Sequence, residues 1–160
     1  MILRVALSAL ALVLLGPEAE AQTTTGIRSC SVVATPLNFG TFSGSRVDSG
    51  GTVSVTCNGA GNNNVVSIAL SEGGSNTFLD RFMFSGQNEL HYNLYVDGAY
   101  TAIWGNGLGE THLGFESFDF RGLGNIGSVT QSATIFGRIP FQPVPRPGAY
   151  ADQIVVTVVF

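Results

Sequence analysis

The pattern in this sequence that most suggests chemistry is Gly122-Leu123-Gly124-Asn125-Ile126-Gly127, the G-x-G-x-x-G spacing that lets a turn approach a pyrophosphate. That use also needs a strand before the glycines and a helix after them, and no helical period surrounds these. The stretch reads as a flexible loop. Glu110, His112 and Glu116 combine residue types suited to proton transfer or metal binding, but their spacing is not helical and their surroundings are Gly-rich, so His112 reads as a solvated loop histidine. His91 falls in the polar phase of an alternating stretch and is expected at the surface. Asp80, Glu89, Asp97 and Asp119 could act as paired carboxylates only if the fold brought them together. No G-x-S-x-G elbow exists for a serine nucleophile. Cys30 and Cys57 lack the C-x-x-C or H-x-x-x-H companions of a metal site. The residues point to a protein that is not an enzyme, with no cofactor and no metal.

The composition narrows the class further. The 160-residue chain is 44% apolar and only 11% charged, contains no Lys, and carries a net charge of -4. An ordinary soluble domain is about 25% charged, so Gly, Ser, Thr and Asn maintain solubility here. No basic block offers phosphate a counter-charge, which excludes nucleic acid as a partner.

Residues 1–21 read as a secretion signal: Arg4, an apolar run over 5–15, and Ala19-Glu20-Ala21 as the cleavage site. The run has 11 residues where a spanning helix needs about 20, so no integral membrane segment is expected. Export places the two cysteines in an oxidising compartment, and a Cys30–Cys57 disulfide is expected. Closing a loop of about 27 residues stabilises by roughly 3 to 4 kcal/mol on the chain-entropy account.

The elements around these residues alternate with a period of two. Val53, Val55 and Cys57 alternate with Ser54 and Thr56; Val66, Ile68 and Leu70 alternate with small polar residues. Leu90, Tyr92, Leu94 and Val96 form another inward set, ended by Asp97-Gly98 in hairpin fashion. Residues 128–139 are β-rich, and Ile154, Val156, Val158 and Phe160 share one face of the last strand. Residues 99–125 hold too many glycines for a regular strand and read as a long connection. Short strands with Gly-rich turns define an all-β fold, a sandwich of two antiparallel sheets. The final strand, 151–160, is strongly apolar, and its residues Val155, Thr157 and Val159 include none of the charges, prolines or bulges that protect an edge. Either it lies inside its sheet or the fold is incomplete and another chain supplies its neighbour.

Seven markers, in order, resemble the spore coat protein U domain family of archaic chaperone-usher pilus subunits. They are Cys30 with Leu37-Asn38-Phe39-Gly40; 52–57; Arg81 to Met83; Leu90-His91-Tyr92-Asn93-Leu94-Tyr95; Trp104-Gly105-Asn106-Gly107; Phe136-Gly137-Arg138-Ile139-Pro140; and Pro147-Gly148-Ala149-Tyr150-Ala151-Asp152. The resemblance covers nearly all of 30–160, taken as the pilin domain. It implies an immunoglobulin-like sandwich lacking its last strand, kept soluble by a periplasmic chaperone that lends one. An outer-membrane usher then exchanges that strand for the N-terminal extension of a neighbouring subunit. The product is a surface fibre serving adhesion or biofilm formation. On this reading Cys30–Cys57 ties the first two strands, and Ile154, Val156, Val158 and Phe160 line the groove that receives the donor, with the opposite face of the strand as the alternative.

Residues 22–29 form the segment before the domain, and among its alternating positions only Ile27 is strongly hydrophobic, which makes it a weak donor. This leaves shaft, minor and tip positions open. The alternative function is a tip adhesin or a stand-alone secreted module that binds carbohydrate or surfaces, with Trp104, Phe115 and Phe118 as candidate loop contacts.

Overall fold

The computed structural model describes residues 2–4, 29–59, 65–107, 113–114, 116–119 and 127–159. Eleven strands run through these residues: β1 (Ile2–Arg4), β2 (Ser29–Ala34), β3 (Val47–Asn58), β4 (Val65–Leu70), β5 (Arg81–Ser85), β6 (Asn88–Tyr95), β7 (Ile103–Trp104), β8 (Leu113–Gly114), β9 (Glu116–Asp119), β10 (Ser128–Ile139) and β11 (Val156–Val159). A single 3-10 turn, Gly73–Ser75, precedes β5, and no α-helix occurs among the described residues.

The centre of the larger sheet is the β3–β10 pair, antiparallel over twelve residues from Val47↔Ile139 to Asn58↔Ser128. Alternation explains why it holds its register. Val53, Val55 and Cys57 point inward and are fully buried, while the outward row pairs hydroxyls across the strands, Ser54 with Ser132 and Thr56 with Thr130, each at 2.7 Å. A one-residue slip would send both rows to the wrong face. β2 adds outside β3, and β6 adds outside β10. The smaller sheet has the order β1-β11-β4-β9, with Val66, Ile68, Leu70 and Val158 facing the larger sheet. Together the inward rows form one core.

Strand order defines the fold class. The run β2-β3-β10-β6 opposite β4-β11 reproduces the A-B-E-D and C-F arrangement of an immunoglobulin-like sandwich. The corner before β11 carries that fold's signature: the Tyr150 hydroxyl donates to the carbonyl of Arg146, four residues back, at 2.7 Å. The seventh position, beside β11, is taken by β1, antiparallel with Ile2↔Val159 and Arg4↔Thr157. β1 lies within the segment expected to be removed on export.

The Cys30–Cys57 disulfide is present and joins directly paired residues of β2 and β3. Beyond β2, residues 35–42 lie across the larger sheet, and glycine makes the approach possible. A Cβ at Gly137 would run into Leu37 and Phe39, and one at Gly51 would meet Leu37.

Several elements differ from the sequence expectation. The Gly-rich 99–125 stretch contains β7, β8 and β9, pairings of two to four residues that are too short to show a period. Asp97-Gly98 does not make a two-residue hairpin. Instead, the Asp97 carboxylate takes the backbone N–H groups of Thr101 and Ala102, with Ala102 at 2.7 Å, and organises a wider loop in which Tyr100 has φ +60°. The last strand is shorter than its apolar run, because Ala151 bridges to Phe84 and Val155 is held by Ser71 before regular pairing begins at Val156.

Candidate functional site

The two sheets are sewn together on one side and open on the other. On the closed side β5 pairs with β6 and also bridges to the segment entering β11: Phe84 N–H donates to Ala151 O at 2.9 Å, and Ala151 N–H to Phe84 O at 3.1 Å. On the open side, β2 and residues 35–42 form one wall, and residues 144–156 form the other. Between them is a cavity of about 370 Å³ whose apolar lining includes Leu37, Leu70, Leu94, Ile135, Ile154 and Val156. A second cavity, of about 530 Å³, continues toward Phe39, Phe42 and Val144, and Leu37, Met83 and Tyr150 line both. These are core residues of an ordinary sandwich, here reached by an open groove.

A polar network joins β5, β6, β7 and the end of β4. Arg81, on β5, is fully buried, and among the described residues it has no carboxylate partner. Its guanidinium donates to Asn93 Oδ1 at 2.7 Å, to Trp104 O at 2.7 Å, and to Ser71 O at 2.8 and 3.1 Å. Loss of hydration pushes its pKa down to about 10, which still leaves it charged at neutral pH. Asn93 relays the network to the carbonyls of Phe78 and Leu79. Beside it, the Tyr92 hydroxyl donates to Asp152 Oδ2 at 2.7 Å, while Gly74 N–H donates to Asp152 Oδ1 at 2.9 Å. Burial, followed by the bond to Asp152, pushes the Tyr92 phenol far above its ordinary range.

Ile154 and Val156, expected on sequence to line a donor groove, are among the lining residues. Val158 is buried further along β11, against the core rather than at the cavity. Phe160 lies outside the described residues. The opposite face, with Val155 and Val159, is exposed.

Trp104 requires a correction. It is not a surface contact: the side chain is fully buried, its indole N–H donates to Ile68 O at 3.0 Å, and Arg81 holds its carbonyl. Neighbouring glycines make its sequence context look like an exposed loop, yet β7 packs it into the core. Phe118 falls on β9, paired with Val66, rather than on a free loop. Phe115 lies outside the described residues, as do Glu110, His112 and residues 122–126 of the glycine motif. His91 is partly exposed and pairs with Asp80 at 2.8 Å. Glu89 sits opposite Phe84, and Asp97 organises its own loop. Among the described residues, no three His, Cys, Asp or Glu side chains are placed to hold a metal, and no helix is long and apolar enough to cross a membrane.

The geometry defines an immunoglobulin-like sandwich with an open groove beside its terminal strand. The sequence matches the Spore Coat Protein U domain over residues 19–157, and the chain belongs to that family. Among solved structures, the fold is similar to a chain of the CsuC-CsuE chaperone-tip adhesion subunit pre-assembly complex from the archaic chaperone-usher Csu pili of Acinetobacter baumannii. The TM-score is 0.51 at 21% identity, covering 82% of this chain and 40% of that one. This chain therefore spans less than half the length of that structural relative. No curated protein matches the sequence.

Proposed function

We propose that this chain is a non-enzymatic, exported subunit of a chaperone-usher type surface fibre. In this reading its sandwich is completed first by a strand from a periplasmic chaperone and then, at an outer-membrane usher, by a strand from a neighbouring subunit. One observation carries the reading: once a segment like residues 1–21 is removed, β11 has, among the described residues, a strand on one edge alone, and the core beside it opens into the groove lined by Ile154 and Val156. A donor burying four or five apolar side chains at roughly 1.5 to 3 kcal/mol each contributes on the order of 6 to 15 kcal/mol before ordering costs. Such a fibre would serve adhesion or biofilm formation. A tip or minor position is supported by the weakly apolar 22–29 segment and by Phe141, which is 83% exposed on the loop after β10.

The test compares residues 22–160 alone with the same chain carrying a 12-residue alternating Thr/Val donor after Phe160 through a Gly/Ser linker. A cooperative monomer from the fusion, and aggregation or non-cooperative melting without it, supports the proposal. A stable, cooperatively folding monomer from the unfused chain overturns it.

A further inference from the structure

The 370 Å³ cavity is mostly apolar and carries a single charged side chain. Asp152 is the single carboxylate in the lining of the 370 Å³ cavity, which contains no Arg, Lys or His. It lies in phase with Tyr150, Ile154 and Val156, all four half-buried, while Ala151, Gln153 and Val155 between them are exposed. Its side chain accepts hydrogen bonds from the Tyr92 hydroxyl, Gly74 N–H and Gln153 N–H, the last at 2.8 Å, which leaves Oδ2 with one bond where Oδ1 has two. Among the described residues Asp152 has no ion-pair partner, since Arg81, the nearest buried cation, directs its bonds to Asn93, Trp104 and Ser71. A strand laid along this cavity therefore meets a mostly apolar lining with one charged side chain, the Asp152 carboxylate.

The register of that strand can be extended from the structure. β1 shows that the free edge of β11 accepts an antiparallel neighbour with Ile2↔Val159, Leu3↔Val158 and Arg4↔Thr157. β11 begins at Val156, and a neighbour that kept this register past it along 152–155 would place its eighth residue, counting the one opposite Val159 as the first, opposite Asp152. In an antiparallel pair, residues directly opposite each other share a face. That donor residue points into the groove beside the carboxylate.

We infer that Asp152 selects the donor: the groove accepts a strand with a hydrogen-bond donor or a cation at its eighth position and rejects one with an acid there. This rests on the strand-acceptor reading above and adds to it a rule about which segments fit. The physical cause is the asymmetry of a half-buried carboxylate. A hydroxyl, amide or ammonium satisfies its remaining lone pairs, whereas a second carboxylate places two like charges side by side away from bulk water.

The experiment uses the donor-fused chain with Thr, Lys, Val or Asp at the eighth donor position, each in the wild-type and Asp152→Asn hosts, with thermal unfolding as the readout. A fifth fusion carries Asp two positions nearer its start, opposite Ile154, as a control for burying any acid. In the wild-type host we expect the Thr and Lys donors to melt highest and the Asp donor to melt lower by about 5 °C or more. In the Asp152→Asn host we expect the Thr-to-Asp drop at position eight to shrink below about 2 °C, while the drop opposite Ile154 stays the same in both hosts. Equal drops at position eight in the two hosts would overturn the inference and leave the groove reading intact. If no fusion melts above the unfused chain, the groove reading and this rule fail together.

Discussion

Replacing Arg81 by Met tests whether the buried guanidinium holds β5, β6, β7 and the end of β4 together. The change leaves the buried carbonyl of Trp104 and the half-buried carbonyl of Ser71 without their donor, whereas Asn93 Oδ1 keeps the N–H of Leu94 at 2.9 Å. Two stranded acceptors at about 1 to 3 kcal/mol each cost about 2 to 6 kcal/mol. Relief of the desolvated charge, with the Met side chain filling part of the volume, returns some of this. A net loss of about 2 to 4 kcal/mol remains, or roughly 5 to 15 °C in Tm for a domain of this size. Arg81→Lys should fall between the two, because one ammonium cannot reach three acceptors across the span of a guanidinium. The assay is thermal unfolding of the donor-fused chain, followed by the emission of Trp104, the single tryptophan. Because the Trp104 carbonyl is one of the stranded groups, its emission should shift before global melting in the Met variant. An Arg81→Met protein that melts within about 2 °C of wild type, with unchanged Trp104 emission, would refute the assignment of a structural role to this hub.

Other expectations follow from features equally local. Replacing Cys30 and Cys57 by Ser removes a cross-link between residues 27 apart, and unfolding should be easier by about 3.5 kcal/mol, read as the shift in a urea midpoint. Gly137→Val places side-chain atoms where Leu37 and Phe39 now lie; a loss of about 1 to 3 kcal/mol is expected, together with faster proteolysis within 35–42. Asp48 is held below the ordinary carboxylate range, chiefly by its hydrogen bond from Arg138 Nε at 2.6 Å. Its contribution to stability is therefore present above the unfolded-state pKa and lost as pH falls through the folded one. Asp48→Asn should flatten the decline in Tm between about pH 5 and pH 3, and an unchanged decline would count against the pair.

The central strands were legible because each buries one face and exposes the other. Val53, Val55 and Cys57, or Val66, Ile68 and Leu70, carry their orientation in their own spacing. On the last strand, Ile154 and Val156 are among the cavity lining while Val155 and Val159 are exposed. β5 was illegible as a strand because Arg81-Phe82-Met83-Phe84 shows no alternation: it pairs with β6 on one edge and touches Ala151 on the other. Arg81 itself, by composition a surface residue, is buried because three acceptors from distant segments converge on it. Trp104 misled for the related reason that its partner, the carbonyl of Ile68, lies 36 positions away. The wall formed by 35–42 depends on two glycines in other strands, Gly51 and Gly137, and no local pattern links them. What the sequence conceals is consistently non-local.

The position of the disulfide has a mechanical consequence. Cys30 is the second residue of β2, and its sulfur is bonded to Cys57, the second-to-last residue of β3. Any pull on the chain preceding residue 29 therefore bypasses the six-residue edge strand, which could otherwise be unzipped one hydrogen bond at a time. The force instead enters the twelve-rung β3–β10 ladder at its Asn58↔Ser128 end. A tether attached at the N-terminal side would thus draw on the most extensively bonded part of the domain from the first moment of tension, and under reducing conditions the same tether would peel β2 away first.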